Sequence, residues 1–238
     1  MIFKRKLIPA ISLLICLVVT LISIPVQNKT VKTNANSHSL PCIILDAGPG
    51  GFDGGAVAAD GTVEKNINLN ICLSLYKFLI SNGYKVILSR SDDSSTESNV
   101  GDRISSKKKR DLENRLQLMS DNPDAVFISI HLNKFTTSAA RGSQVFYSAN
   151  LPESSVLGEK IQASIVSMLQ PENKRVNKKA TSSTFLLYNA TIPAVLVECG
   201  FLSNKAEREK LKTTQYQNKI AFCIFCGINE YFSNKKEL

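Results

Sequence analysis

Short apolar runs alternate with helix-period stretches along most of this chain, and that alternation does more than any other feature to narrow its fold. Residues 42–45 form an apolar run closed by Asp46 and a glycine cluster, which predicts a buried strand followed by a loop. Glu64 then opens a helical pattern with Ile67, Ile71, Leu75 and Leu79 on one face, stopped at Asn82-Gly83, and residues 84–88 make the next apolar run. Strand, loop, helix, strand is a βαβ unit. Residues 89–106 are polar and charged and predict a long loop, and a helix with Leu112, Leu116 and Met119 on one face follows. Strands are expected at 125–130, 142–147, 185–187 and 194–197, and helices at 153–169 and 215–232. No internal repeat interrupts the pattern. The expected fold is a single α/β domain with a mainly parallel central sheet and helices on both faces, whose ligands gather beyond the C-terminal ends of the strands.

The 238 residues suffice for one domain with a real core but not for two catalytic domains. Residues 7–26 are almost uninterruptedly apolar and uncharged, behind Lys4, Arg5 and Lys6. That is long enough to span a bilayer, and the basic flank orients it with the N-terminus cytoplasmic and the rest exported. No small-x-small site closes the run, so residues 1–26 are expected to act as an uncleaved signal anchor in preference to a cleaved signal peptide. Ile15 before Cys16 argues against lipidation. Residues 27–40, rich in Asn, Ser, Thr and Lys, read as a polar tether, and residues 41–234 as the folded domain.

Net charge is +9, of which Lys4, Arg5 and Lys6 account for three, so the exported part stays basic. Such a balance suits an anionic wall polymer or a membrane surface, and no aromatic-interleaved basic module points to nucleic acid. The run Lys107-Lys108-Lys109-Arg110 reads as a solvated helix start. Five cysteines follow the leader, Cys42, Cys72, Cys199, Cys223 and Cys226, an odd set without the spacing of a disulfide scaffold. They read as small buried hydrophobes. Cys223 and Cys226 spell C-x-x-C, but within an apolar helical segment and without a second pair or a histidine.

Four positions carry the candidate chemistry, and each begins or ends a regular element: the Asp46-Ala47-Gly48-Pro49-Gly50-Gly51 loop, Glu64, His131 and Glu198. A catalytic zinc takes three protein ligands of His or carboxylate type and keeps a fourth position for water, while a separate carboxylate moves the proton. Glu64, His131 and Glu198 match those types. Taken one at a time they also match a first-turn helix acid, a buried histidine and a salt-bridged carboxylate. The Gly48-Pro49-Gly50 loop between strand and helix invites a dinucleotide reading, but the third glycine of G-x-G-x-x-G falls at Asp53 and Pro49 removes a backbone donor.

From about residue 42 to 232 the chain resembles the zinc-dependent N-acetylmuramoyl-L-alanine amidases of the amidase-3 type. The matching stretches are Ile44-Leu45-Asp46-Ala47-Gly48, Gly50-Gly51, Glu64-Lys65-Asn66, residues 83–90, 124–133 and 193–204, and the closing helix to Gly227-Ile228. Within that family it is most similar to the sporulation-type members that start muramic-δ-lactam formation in the spore cortex. The resemblance implies hydrolysis of the amide between N-acetylmuramic acid and L-alanine of peptidoglycan, with Glu64 and His131 as Zn²⁺ ligands and Glu198 as the catalytic acid and base. It also implies substrate contacts at Asn133 and Arg90. The family's first ligand, a histidine, falls on Pro49, which has no side-chain donor. His38 lies in the tether, where folding back over the domain would cost entropy at every residue. Cys199 points to the opposite face from Glu198. Zinc binding is therefore expected to be weakened, and activity to need high zinc, an extra water or an accessory activator protein. The alternative is a catalytically dead relative that binds peptidoglycan or a partner.

Overall fold

A computed structural model of the chain describes residues 41–96 and 103–235. Its six strands are β1 (Cys42–Ala47), β2 (Lys85–Leu88), β3 (Val126–Asn133), β4 (Gln144–Tyr147), β5 (Lys178–Lys179) and β6 (Ala194–Phe201). Its helices are α1 (Glu64–Ser81), α2 (Ile104–Ser120), α3 (Pro152–Met168), α4 (Phe185–Tyr188), α5 (Lys205–Leu211) and α6 (Thr214–Lys235). The strands form one sheet in the order β2-β1-β3-β6-β4-β5. The first four run parallel, and β4 turns antiparallel against β6 with β5 parallel to β4.

Alternate strand residues feed two apolar layers. Ile43, Leu45, Ile128, Ile130, Val195 and Val197 join the larger core beneath α1, α3 and α6. Ile44, Phe127 and Ala194, one residue out of phase, pack with Met119 of α2 and Leu186 and Leu187 of α4 on the other face. Both faces are thus covered, which is why the strands read as continuous apolar runs. Helix α1 buries Ile67, Ile71, Leu75 and Leu79 at helical spacing and stops at Gly83, whose φ of +84° few other residues tolerate. Helices α3 and α6 cross at Gly227, where a β-carbon would stand 2.5 Å from the Ile161 Cα.

The sequence reading and the structure part at three places. Residues 185–187, expected as a strand, are the single helical turn α4. Leu186 and Leu187 are both buried while Phe185 and Tyr188 are exposed, a paired pattern that a strand's alternation cannot produce. The two-residue strand β5 and the seven-residue α5, capped by the Asn204 side chain accepting from the Glu207 N–H, are too short to show periodicity. The expected loop ends early, since α2 already begins at Ile104.

Other readings hold. The basic run sits in the first turns of α2, with Lys108 paired to Asp53 at 2.8 Å and Lys109 to Glu113 at 3.7 Å. The five cysteines are free thiols; Cys72, Cys199 and Cys223 are buried, and Cys42 and Cys226 pack against the cores. The apolar run 7–26, the tether 27–40 and His38 lie outside the described residues. Among the described residues no helix is long and apolar enough to cross a membrane.

Candidate active site

Glu64, His131 and Glu198 meet at the C-terminal edge of the central strands. His131 ends β3 directly opposite Glu198 on β6, and Gln144 of β4 lies opposite Glu198 on its other side, so three side chains stand in a row across neighbouring strands. Glu64 is the first residue of α1. Its carboxylate accepts from the N–H of Ala56 (2.8 Å), the N–H of Leu132 (3.1 Å) and Asn68 Nδ2 (3.0 Å), and one oxygen lies 3.1 Å from His131 Nδ1. Burial alone would raise the carboxyl of Glu64. The hydrogen bonds from His131, Ala56 and Leu132 outweigh it and hold the group below the usual carboxylate range.

The loop after β1 closes the site from the other side. A methyl group on Gly48 would stand 2.3 Å from His131 Nε2, so only a glycine leaves room for the imidazole. The Pro49 ring and Glu64 Oε2 both lie within 2.6 Å of the point where a Gly55 Cβ would sit, which sets the ring beside the carboxylate. Asp46, fully buried, anchors the start of this loop through Ser89 Oγ (2.7 Å), Ser129 Oγ (2.6 Å) and Arg115 (3.0 Å). Burial opposes its ionisation, and the Arg115 guanidinium and two hydroxyls overcome that.

Arg90, expected at a substrate contact, is 4% exposed and donates to the carbonyls of Ala47 (2.6 Å), Pro49 (2.6 Å), Lys65 (3.0 Å) and Asp92 (2.8 Å). Those bonds hold the Gly48-Pro49 loop against α1. Asn133, two residues past His131 beyond a β-bulge, is half-buried, and its carbonyl accepts from the Leu202 N–H at 2.8 Å.

Glu198 is the one carboxylate of the three without support. Its Oε2 is buried and takes no hydrogen bond. Burial pushes its carboxyl up to about 7, with His131 drawing it down and Glu64 adding to the rise. A carboxyl that titrates near neutrality both takes and returns a proton. Sequence reasoning missed the supports of the other two carboxylates, Glu64 and Asp46: Asn68, one turn along α1 from Glu64, and Arg115, which reaches Asp46 and pairs with Asp111 at i,i+4 on α2, are the signals that would have found them.

The sequence profile described as N-acetylmuramoyl-L-alanine amidase matches residues 43–230. This chain belongs to that amidase family. It is 34% identical over 193 residues to the germination-specific N-acetylmuramoyl-L-alanine amidase of Bacillus subtilis, covering 81% of this chain and 80% of that protein. Among solved structures, the CwlD amidase of Clostridioides difficile in complex with the GerS lipoprotein is 41% identical with a TM-score of 0.79, covering 82% of this chain and 99% of that one. An N-acetylmuramoyl-L-alanine amidase from Clostridium difficile 630 is 27% identical with a TM-score of 0.70, over 83% of this chain and 99% of that one.

The amidase family is generally zinc-dependent, and the donors present fit such a site only in part. Tetrahedral zinc with bonds of ~2.0–2.1 Å places neighbouring donors roughly 3.3 Å apart, close to the 3.1 Å between Glu64 Oε1 and His131 Nδ1. No third donor joins them: among the described residues no three His, Cys, Asp or Glu side chains are placed to share a metal ion. Pro49 offers neither a side-chain donor nor an N–H, and the buried Cys199 thiol turns away toward the Val197 carbonyl. Among the described residues the full three-donor set of a catalytic zinc is therefore absent.

Proposed function

We propose that this amidase-family chain hydrolyses the amide between the lactyl group of N-acetylmuramic acid and L-alanine in peptidoglycan, with Glu198 as the proton carrier. The observation that carries the reading is the unsupported, buried Glu198 oxygen beside His131 and Glu64, on a carboxyl that titrates at about 7. Glu198 takes a proton from the attacking water as the oxygen–carbon bond forms at the lactyl carbonyl. It returns that proton to the alanine nitrogen as the carbon–nitrogen bond breaks. Glu64 and His131 are this chain's own donors to a zinc, whose contribution when bound is water activation and carbonyl polarisation.

Loss of one donor weakens that zinc. Disturbing even an outer partner of a ligand costs ~10–100-fold in metal affinity, and a missing ligand costs at least that. The structure of CwlD in complex with the GerS lipoprotein supports the view that a partner protein stabilises or completes the site here too. Asn133, beside His131, is assigned to substrate contact. The apolar run 7–26 supports export with the domain held at the outer membrane surface, and the likeness to the germination-specific amidase of B. subtilis supports work on the spore cortex. Pro49 favours one rival reading, a peptidoglycan-binding relative that does not cleave.

Muropeptide digestion at graded zinc, followed by chromatography, separates the two. The amidase reading expects free L-alanine-terminated peptide, and expects E198Q to abolish it with zinc content unchanged. Zinc lost together with the charge would make Glu198 a ligand instead, and binding without cleavage at any zinc concentration would establish the rival.

A further inference from the structure

Beyond Glu198 the row across the sheet continues to Gln144, and Gln144 leads to a cation that no acid among the described residues neutralises. Gln144, 4% exposed, uses both ends of its amide: Nε2 donates to the Val176 carbonyl at 2.9 Å, and Oε1 accepts from Arg175 at 3.0 Å. Arg175 also donates from Nε to the Arg141 carbonyl at 2.8 Å, and its guanidinium lies 4.7 Å from the centre of the Phe201 ring. Phe201 closes β6 at the same edge of the sheet that carries His131 and Glu198.

None of these partners carries a negative charge. Among the described residues no carboxylate stands within ion-pair distance of Arg175. Glu207, which lines a surface groove together with Arg175, gives its two oxygens to the N–H groups of Gly142 (2.7 Å) and Phe201 (2.8 Å). The segment bearing Arg175 is fixed before any ligand arrives, because Asn173 donates to the Ser143 carbonyl (2.8 Å) and accepts from the Arg175 N–H (3.0 Å). A rigid, half-buried guanidinium with an unused NH2 and no counter-charge is a receptor for a planar anion, and a carboxylate matches its fork.

We propose that Arg175, positioned by Gln144 and Phe201, binds a carboxylate on the peptide side of the scissile amide and makes the enzyme selective for stem peptides in which that carboxyl is free, not amidated. The spacing agrees. Gln144 is one strand, about 5 Å, from Glu198, with the guanidinium just beyond it. An extended peptide advances ~3.3–3.6 Å per residue, so a carboxylate about two residues past the scissile bond reaches Arg175 when that bond lies at Glu198. The assignment rests on the amidase reading of the same site.

The test is isothermal titration of two uncleaved muramoyl peptides, identical except for a carboxylate or a carboxamide at the second stem residue. They are titrated into the full-length chain carrying E198Q, with and without R175Q. The E198Q chain should prefer the carboxylate about 10- to 100-fold, the range of a charge-assisted hydrogen bond. R175Q should erase that preference while leaving carboxamide binding within about threefold. The E198Q preference is read without any change at Arg175, so it stands even if R175Q folds poorly. Binding of both peptides with equal affinity by E198Q overturns the Arg175 assignment alone. Binding of neither, with no cleavage by the parent chain, overturns the amidase reading and this proposal with it.

Discussion

Replacing Arg115 with methionine tests what holds the site's first loop in place. The Arg115 side chain is 3% exposed and bridges Asp46 at 3.0 Å and Asp111 at 2.8 Å, which are 0% and 8% exposed. Methionine keeps most of the volume and removes the charge, so two buried carboxylates lose their cation together. Breaking a buried pair from one side costs about 3–5 kcal/mol. Asp46 retains Ser89 and Ser129, and Asp111 retains Ser95 and Thr96, so the lower half of that range is expected at pH 7. The pH dependence has a definite sign. In the parent, Asp46 is held below its unfolded value, so its contribution is full above about pH 4 and is lost only as pH falls toward the folded value. In R115M only the two hydroxyls are left to oppose burial, so Asp46 is expected to titrate above its unfolded value and the variant to lose stability as pH rises through that range. Urea melts at pH 7 and pH 5 should therefore show a smaller deficit at pH 5, and D46N should recover part of the loss in the double variant. A deficit under about 1 kcal/mol, or one that grows on acidification, would refute the reasoning.

Two glycine substitutions separate stability from site geometry. G227A puts a methyl 2.5 Å from the Ile161 Cα in the adjoining helix, where backbone has to move, so it should cost ~1–3 kcal/mol and lower the melting temperature by about 3–10 °C; an unchanged melt contradicts the close crossing. G48A instead meets the end of a side chain, 2.3 Å from His131 Nε2. It should leave the melt within about 1.5 kcal/mol while muropeptide hydrolysis falls on the order of 100-fold, and full activity would mean that His131 does not need its present place.

Much of this arrangement was legible in the chain. The apolar runs ending in Asp46, His131 and Glu198 announced parallel strands delivering polar residues to one edge, and the Glu64 helix announced itself by its spacing. Convergence followed from topology, because parallel strands put their C-termini on one side. The buried supports were not legible, since they link positions far apart in sequence. Arg115 reaches Asp46 across 69 residues, and although Leu112, Leu116 and Met119 mark the inward face of α2, nothing local names the carboxylate that an arginine beside them meets. Arg90 follows a strand just as a substrate contact would. Only the fold reveals that its guanidinium turns back to the carbonyls of Ala47 and Pro49. A single turn such as α4 escapes because four residues cannot show whether their period is 2 or 3.6.

Position 49 decides whether the Glu64–His131 pair is the remainder of a three-donor metal site. Zinc titration of the parent chain and P49H, by calorimetry and by thermal melts at each zinc concentration, measures this directly. An imidazole at 49 adds the missing donor and leaves a position for water. P49H should bind zinc at least 10–100-fold more tightly, and at 100 times its Kd the metal should add ~2.7 kcal/mol of stability, against about 1.4 kcal/mol or less for the parent at that concentration. Release of L-alanine-terminated peptide should rise in parallel. A P49H chain that binds zinc no more tightly than the parent contradicts the account: position 49 then does not face Glu64 and His131, and the three do not form one site.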